Sequence, residues 1–152
     1  MERPNRRLEL DVMNPQKDVT PGVNKNVRKP RILFLCDGKN AWSGLAASIL
    51  HEKAGSFFDV YAASYCEPKH STKTILNELD MESLTRIETR KLEQCNHLDY
   101  EYLIALSPSA LVNTKALPRH RKFIPWNIED EAYPENQINE QLNYLLSLYL
   151  YQ

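Results

Sequence analysis

The sequence predicts an α/β domain built on a four-stranded parallel sheet with helices on both faces. Three observations predict it. From Arg31 onward, short runs rich in Ile, Leu, Val, Phe and Tyr alternate with stretches of helical pattern, the order expected of parallel strands joined by helical crossovers. The chain closes on an amphipathic pattern in which Ile138, Leu142, Leu145, Leu146, Tyr149 and Leu150 recur at helical spacing. Its 152 residues, 42% of them hydrophobic, suit one core.

Residues 1–29 hold Pro4, Pro15, Pro21 and Gly22 among Asn, Arg, Lys and Asp and follow neither a helical nor an alternating period. They are expected to form a flexible N-terminal extension, with Arg6 and Arg7 solvated, ahead of a domain over residues 30–152. Residues 32–35 read as the first strand, 42–53 as a helix, 57–62 as the second strand, 72–79 as a helix and 102–106 as the third strand. A short helix is expected over 111–116. Residues 122–125 form the fourth strand, closed by Pro125, which has no N–H to give to a ladder. The last helix is expected over 136–149.

A formal net charge of −1 with both signs interspersed leaves no electrostatic footprint for nucleic acid or an anionic membrane. No apolar run approaches the roughly 20 residues needed to span a bilayer, and the N-terminus lacks a signal-peptide apolar region, so a cytoplasmic protein is expected. Cys36, Cys66 and Cys95 are odd in number and widely spaced, the pattern of free thiols in a reducing compartment. No CxxC or Cys/His cluster indicates a metal, and His51, His70, His97 and His120 are scattered, so neither metal nor cofactor is expected.

The informative stretch runs from Arg31 to Ala46. It places Cys36 where an apolar strand breaks through a short polar loop, Asp37-Gly38-Lys39-Asn40-Ala41, into a helix. Backbone N–H groups converge at such a junction, and they stabilise a thiolate and a phosphate alike. A thiolate attacks phosphorus without a metal, and a helix N-terminus lowers a cysteine below its free value of about 8.5, so Cys36 is the candidate nucleophile.

This stretch resembles the phosphate loop of the low-molecular-weight protein tyrosine phosphatases and the thioredoxin-coupled arsenate reductases, which reads Cys, five residues, Arg, Ser. Cys36, Gly38 and Ser43 stand at the family positions, while Trp42 stands where the family has its arginine. Downstream, Trp126-Asn127-Ile128-Glu129-Asp130-Glu131-Ala132 is similar to the family's general-acid loop, with Asp130 at the acid and Glu131 in place of the following proline. The segments 60–64 and 102–107 look like the family's next strands in order.

The resemblance implies that Cys36 attacks phosphorus, that Ser43 donates its hydroxyl to the sulfur, and that Asp130 protonates the leaving oxygen and later activates water. It also implies an anion-binding loop of Asp37, Gly38, Lys39, Asn40, Ala41 and Trp42. Tryptophan supplies neither the charge nor the planar fork that holds two phosphate oxygens. Loss of such a transition-state donor costs about 3–4 kcal/mol, or roughly 10²–10³ in turnover. Lys39 offers only a point charge, and Glu129 and Glu131 repel a dianion. Ala41 stands where many family members carry a second, protective cysteine, and Ser107 stands where the reductase branch carries a relay cysteine, so arsenate reduction by the family route is not expected. The resulting expectation is a catalytically impaired phosphatase-like protein that binds an oxyanion or a phosphorylated protein partner. The alternatives are an active cysteine-dependent phosphatase with a different cation, and an interaction module with no anion site.

Overall fold

The structure, a computed structural model, describes residues 28–107 and 117–150. Most of the expected N-terminal extension and the short helix expected over 111–116 therefore lie outside the described residues. In chain order the elements are β1 (Arg31–Cys36), α1 (Trp42–Ala54), β2 (Asp59–Ser64), α2 (Thr72–Glu78), β3 (Thr89–Lys91), a 3-10 turn (Leu92–Gln94), β4 (Tyr100–Ala105), β5 (His120–Pro125) and α3 (Pro134–Leu150). The strands form one sheet in the order β3-β2-β1-β4-β5, with every pair parallel.

β1 is central because it alone is apolar along its length. Ile32, Leu33, Phe34 and Leu35 are all fully buried, as a strand covered on both faces requires. Ile32 and Phe34 share one face with Ala62, Ile104 and the inward side chains of α1 and α3, among them Leu45, Ile49, Leu142 and Leu145. Leu33 and Leu35 point to the other face, where Ala63, Leu103 and Ala105 meet Leu92, Cys95 and Tyr100. Among the described residues, cover lies on both faces. α1, α2 and α3 pack on the first, whereas the 3-10 turn covers the second.

Among the described residues the sheet has five strands rather than the expected four. β3 is a three-residue edge strand, Thr89-Arg90-Lys91, with no apolar period to announce it. It exists because the outer edge of β2 offers a free ladder, and Ala62, Ala63 and Ser64 pair with its three residues. This strand carries Thr89 to the site described below.

α1 is buried without interruption from Trp42 to Leu50. Gly44 lets it come that close: a Cβ there would collide with Thr72 Oγ1 and lie 3.0 Å from the carbonyl oxygen of Ile87. Thr72 Oγ1 donates to that same carbonyl at 2.8 Å, so α2 and the segment before β3 are fastened together under α1. α2 itself is capped by Ser71, whose hydroxyl accepts from Thr74 N at 3.2 Å. α3 opens on Pro134, a residue suited to the first helical position. Among the described residues no helix is long and apolar enough to cross a membrane.

Candidate active site

Cys36 ends β1, and the loop after it turns under Gly38, whose φ of +99° lies in the region glycine tolerates best. The turn is tied to the loop after β2, since Lys69 N donates to Gly38 O at 3.0 Å and Tyr65 N donates to Cys36 O at 3.2 Å. Asp37 Oδ1 accepts from Lys39 N at 2.9 Å. Lys39 and Asn40 are exposed, while Ala41 and Trp42 are buried.

The sulfur sits in a chain of polar groups. Cys36 Sγ and Ser43 Oγ are 3.0 Å apart, and Ser43 Oγ lies 3.0 Å from Thr89 Oγ1 on β3. On its other side the thiol donates to the carbonyl oxygen of Asn40 at 3.6 Å. These contacts fit one direction of donation, from Thr89 to Ser43 to Cys36 to the Asn40 carbonyl.

That arrangement favours a neutral thiol. Burial pushes Cys36 up from its ordinary value, hydrogen bonds from the Ser43 side chain and the Ser43 and Gly38 backbone oppose the shift without overcoming it, and Asp37 adds to it. The sequence-based expectation of a depressed value is therefore corrected: desolvation outweighs the helix N-terminus, because Cys36 is only 1% exposed. The Asn40 carbonyl works in the same sense. An oxyanion nest presents N–H groups alone, and a carbonyl dipole aimed at the sulfur repels both a thiolate and a bound anion.

Trp42 leaves the loop and enters the core. It is 7% exposed and belongs to the apolar cluster that includes Phe34, Leu45, Trp126 and Ile128. Trp126 in turn packs against Phe34, with ring centroids 5.9 Å apart.

The segment carrying Asp130 is brought to the same edge of the sheet. Leu106 N donates to Leu35 O at 2.8 Å, and Ile128 N donates to Leu106 O at 3.3 Å, which sets the segment two steps across from the cysteine loop. Asp130 itself is exposed, and its Oδ1 accepts from Ala132 N at 3.1 Å and Tyr133 N at 2.9 Å. It holds the turn that leads into α3. Gln137 completes the clamp, accepting from Glu129 N at 2.9 Å and donating to Asn127 O at 2.7 Å. Tyr133 is well exposed, and Ser107 is 8% exposed with its hydroxyl unpartnered among the described residues.

Three groups escaped sequence reasoning. Thr89 is 46 residues from Ser43 and lies on a strand without a pattern. Gln137 carries no motif. The third is a cleft of about 550 Å³ between the loop after β2 and β3, to which Thr89, Lys69, His70, Arg90 and Lys91 all contribute. Lys91 is paired with Glu67 at 2.9 Å. Among the described residues no group of three His, Cys, Asp or Glu side chains could hold a metal ion.

No protein-family model matches the sequence, and no curated protein matches it. The structure, however, is similar to solved ones. An arsenate reductase in the phosphate-binding state superposes with a TM-score of 0.64 at 16% identity, over 78% of this chain and 97% of that one. A low-molecular-weight phosphotyrosine phosphatase from Vibrio cholerae O395 gives 0.64 at 12% identity, over 80% and 97%. An arsenate reductase from Archaeoglobus fulgidus DSM 4304 gives 0.56 at 20% identity, over 77% and 97%. The chain therefore has the fold shared by these phosphatases and reductases.

Proposed function

We infer that this chain is a catalytically silent protein of the phosphatase fold, which keeps the cysteine loop as a scaffold and receives the phosphate of a phosphorylated protein, or a free oxyanion, at the carboxyl edge of the sheet. The observation that carries this reading is the state of Cys36: a buried thiol that donates to a backbone carbonyl, with Trp42 packed in the core where the resemblance places an arginine. Lys69 and Arg90 in the adjoining cleft, which Glu67 and Glu88 also line, add cations to Lys39 of the loop.

The test is hydrolysis of an aryl phosphate at high protein concentration by the wild type, Cys36→Ser and Trp42→Arg, alongside melting temperatures with and without millimolar phosphate or tungstate. The expected result is no Cys36-dependent turnover in the wild type, with phosphate raising the melting temperature and Lys69→Gln/Arg90→Gln abolishing that rise. Turnover that Cys36→Ser removes would overturn the reading. It would favour the second one, an active cysteine-dependent phosphatase, for which the 3.0 Å Cys36–Ser43 contact speaks and in which Lys39 or a partner's arginine supplies the charge. No stabilisation by either anion would leave a protein-interaction module without an anion site.

A further inference from the structure

The opposite edge of the sheet carries a second cavity, and nothing in the cysteine-loop chemistry accounts for it. It encloses about 690 Å³ where β1, β4 and β5 begin and α3 ends. Cys36 lies five residues along β1 from Arg31, which at about 3.3 Å per residue puts the two sites roughly 16 Å apart. The cavity is independent of the reading proposed above.

Its charge is one-sided. Arg28, Lys29, Arg31, Arg121 and Lys122 line it, against the carboxylates of Asp99 and Glu101. The whole chain carries a formal net charge of −1, so this concentration of cations is local. Ion pairing neutralises only part of it. Glu101 is held by Arg121 at 2.9 Å, Lys29 reaches Asp59 at 3.4 Å, and Asp99 faces Arg119 at 3.7 Å. Arg28 and Lys122 have no ion-pair partner among the described residues.

Arg31 is the most telling. Its Nη1 donates to the backbone oxygen of Asp99 at 3.1 Å, which anchors the guanidinium, while its Nε is buried with no acceptor among the described residues. A buried donor left without a partner costs about 1–3 kcal/mol, and a small shift of the Arg31 side chain toward an oxyanion in the cavity would remove that cost. Tyr102 and Tyr149 stand edge to face at the same cavity, 6.4 Å between centroids, and form one wall of it. The volume matches one small molecule rather than a length of peptide.

We propose that this cavity binds a multiply charged small anion, carrying phosphate or carboxylate groups, through Arg31 at its back and Arg28 and Lys122 at its mouth. Arg31 is the residue that orients the anion, and the other two attract it.

The test is titration calorimetry on the full chain at 0.15 M salt with inorganic triphosphate and, separately, citrate. Saturable one-to-one binding of triphosphate assigns the phosphate class, and of citrate the carboxylate class; either supports the proposal. Arg28→Gln/Lys122→Gln is expected to weaken binding about tenfold with an unchanged melting temperature. Arg31→Lys, which keeps the charge and loses the fork, is expected to weaken it as well. Cys36→Ser is expected to leave it unchanged. Absence of saturable binding by both probes would overturn the proposal. So would binding indifferent to the Arg28/Lys122 change, or binding lost in Cys36→Ser, which would assign the anion to the other edge.

Discussion

Cys36 Sγ and Ser43 Oγ lie 3.0 Å apart with both residues buried, and the contact joins the end of the central strand to the first turn of α1. Thr89 extends the contact to the sheet edge through Ser43, so a strand 46 residues further along the chain joins the polar chain that reaches the sulfur. A hydroxyl beside a thiolate assists its reactivity. Here the same hydroxyl sits within a closed polar chain that ends on the Asn40 carbonyl, and the result is a satisfied thiol.

Thiol labelling should therefore separate the cysteines by exposure. Cys66 is exposed, whereas Cys36 and Cys95 are buried. With iodoacetamide at pH 8 and peptide mass spectrometry, Cys66 is expected to react first. Cys36 should react at least about 100-fold more slowly, at a rate set by local opening. Equal rates would show that the loop is open in solution.

Alkaline pH should destabilise the fold. A thiol whose folded value lies above its unfolded one holds its proton more tightly when folded. The stability it contributes is whole below the ordinary thiol value and is lost as pH rises through that value toward the folded one. Each such group steepens the loss by up to about 1.4 kcal/mol per pH unit. Cys95 shifts in the same direction through burial, so Cys36→Ser/Cys95→Ser is the informative variant. Urea midpoints between pH 7 and 10.5 should fall less steeply for it than for the wild type.

Trp42→Ala should behave as a core truncation. Removing a buried aromatic side chain costs about 3–5 kcal/mol, against less than about 0.5 kcal/mol for an exposed loop residue. Urea unfolding measures the difference directly. A near-neutral result would mean that the indole lies over the loop.

Gly44→Ala should loosen the cysteine loop from behind. The added methyl meets Thr72 Oγ1, and overpacking of this kind costs about 1–3 kcal/mol. Thr72→Ala in the same chain should restore part of the loss, since it removes the colliding atom while giving up the hydrogen bond to Ile87. A double-mutant cycle on denaturation midpoints gives the coupling.

Gln137→Ala should release the segment that carries Asp130. The side chain holds Asn127 and Glu129 together, and its loss is expected to cost about 1–2 kcal/mol and to speed hydrogen exchange at the Glu129 amide. Exchange unchanged at Glu129 would show that Asp130 alone maintains the turn.

Much of the architecture was legible in the residues because it follows from periodicity. The apolar run of β1 demanded burial on both faces, strand–helix alternation demanded parallel crossovers, and the spacing from Ile138 to Leu145 demanded an amphipathic last helix. The position of Cys36 at a strand-to-helix junction, with Gly38 in the turn and Ser43 one turn on, was equally a matter of order along the chain. β3 was not legible, because three polar residues have no period and pair only where β2 leaves an edge open. Nor was Thr89 as the partner of Ser43, since no local pattern joins residues 46 apart.

The sequence by itself determined the order of the four longer strands and the helices between them, the placing of one cysteine at the carboxyl edge, and the standing of Trp42 where an arginine is expected. Only the tertiary structure decided what those residues experience. Burial of Cys36, the Asn40 carbonyl at its sulfur, the descent of Trp42 into the core and the gathering of Arg28, Arg31 and Lys122 at the opposite edge all depend on which segments pack together. Periodicity is local, whereas desolvation and electrostatic environment are sums over neighbours supplied by the whole fold.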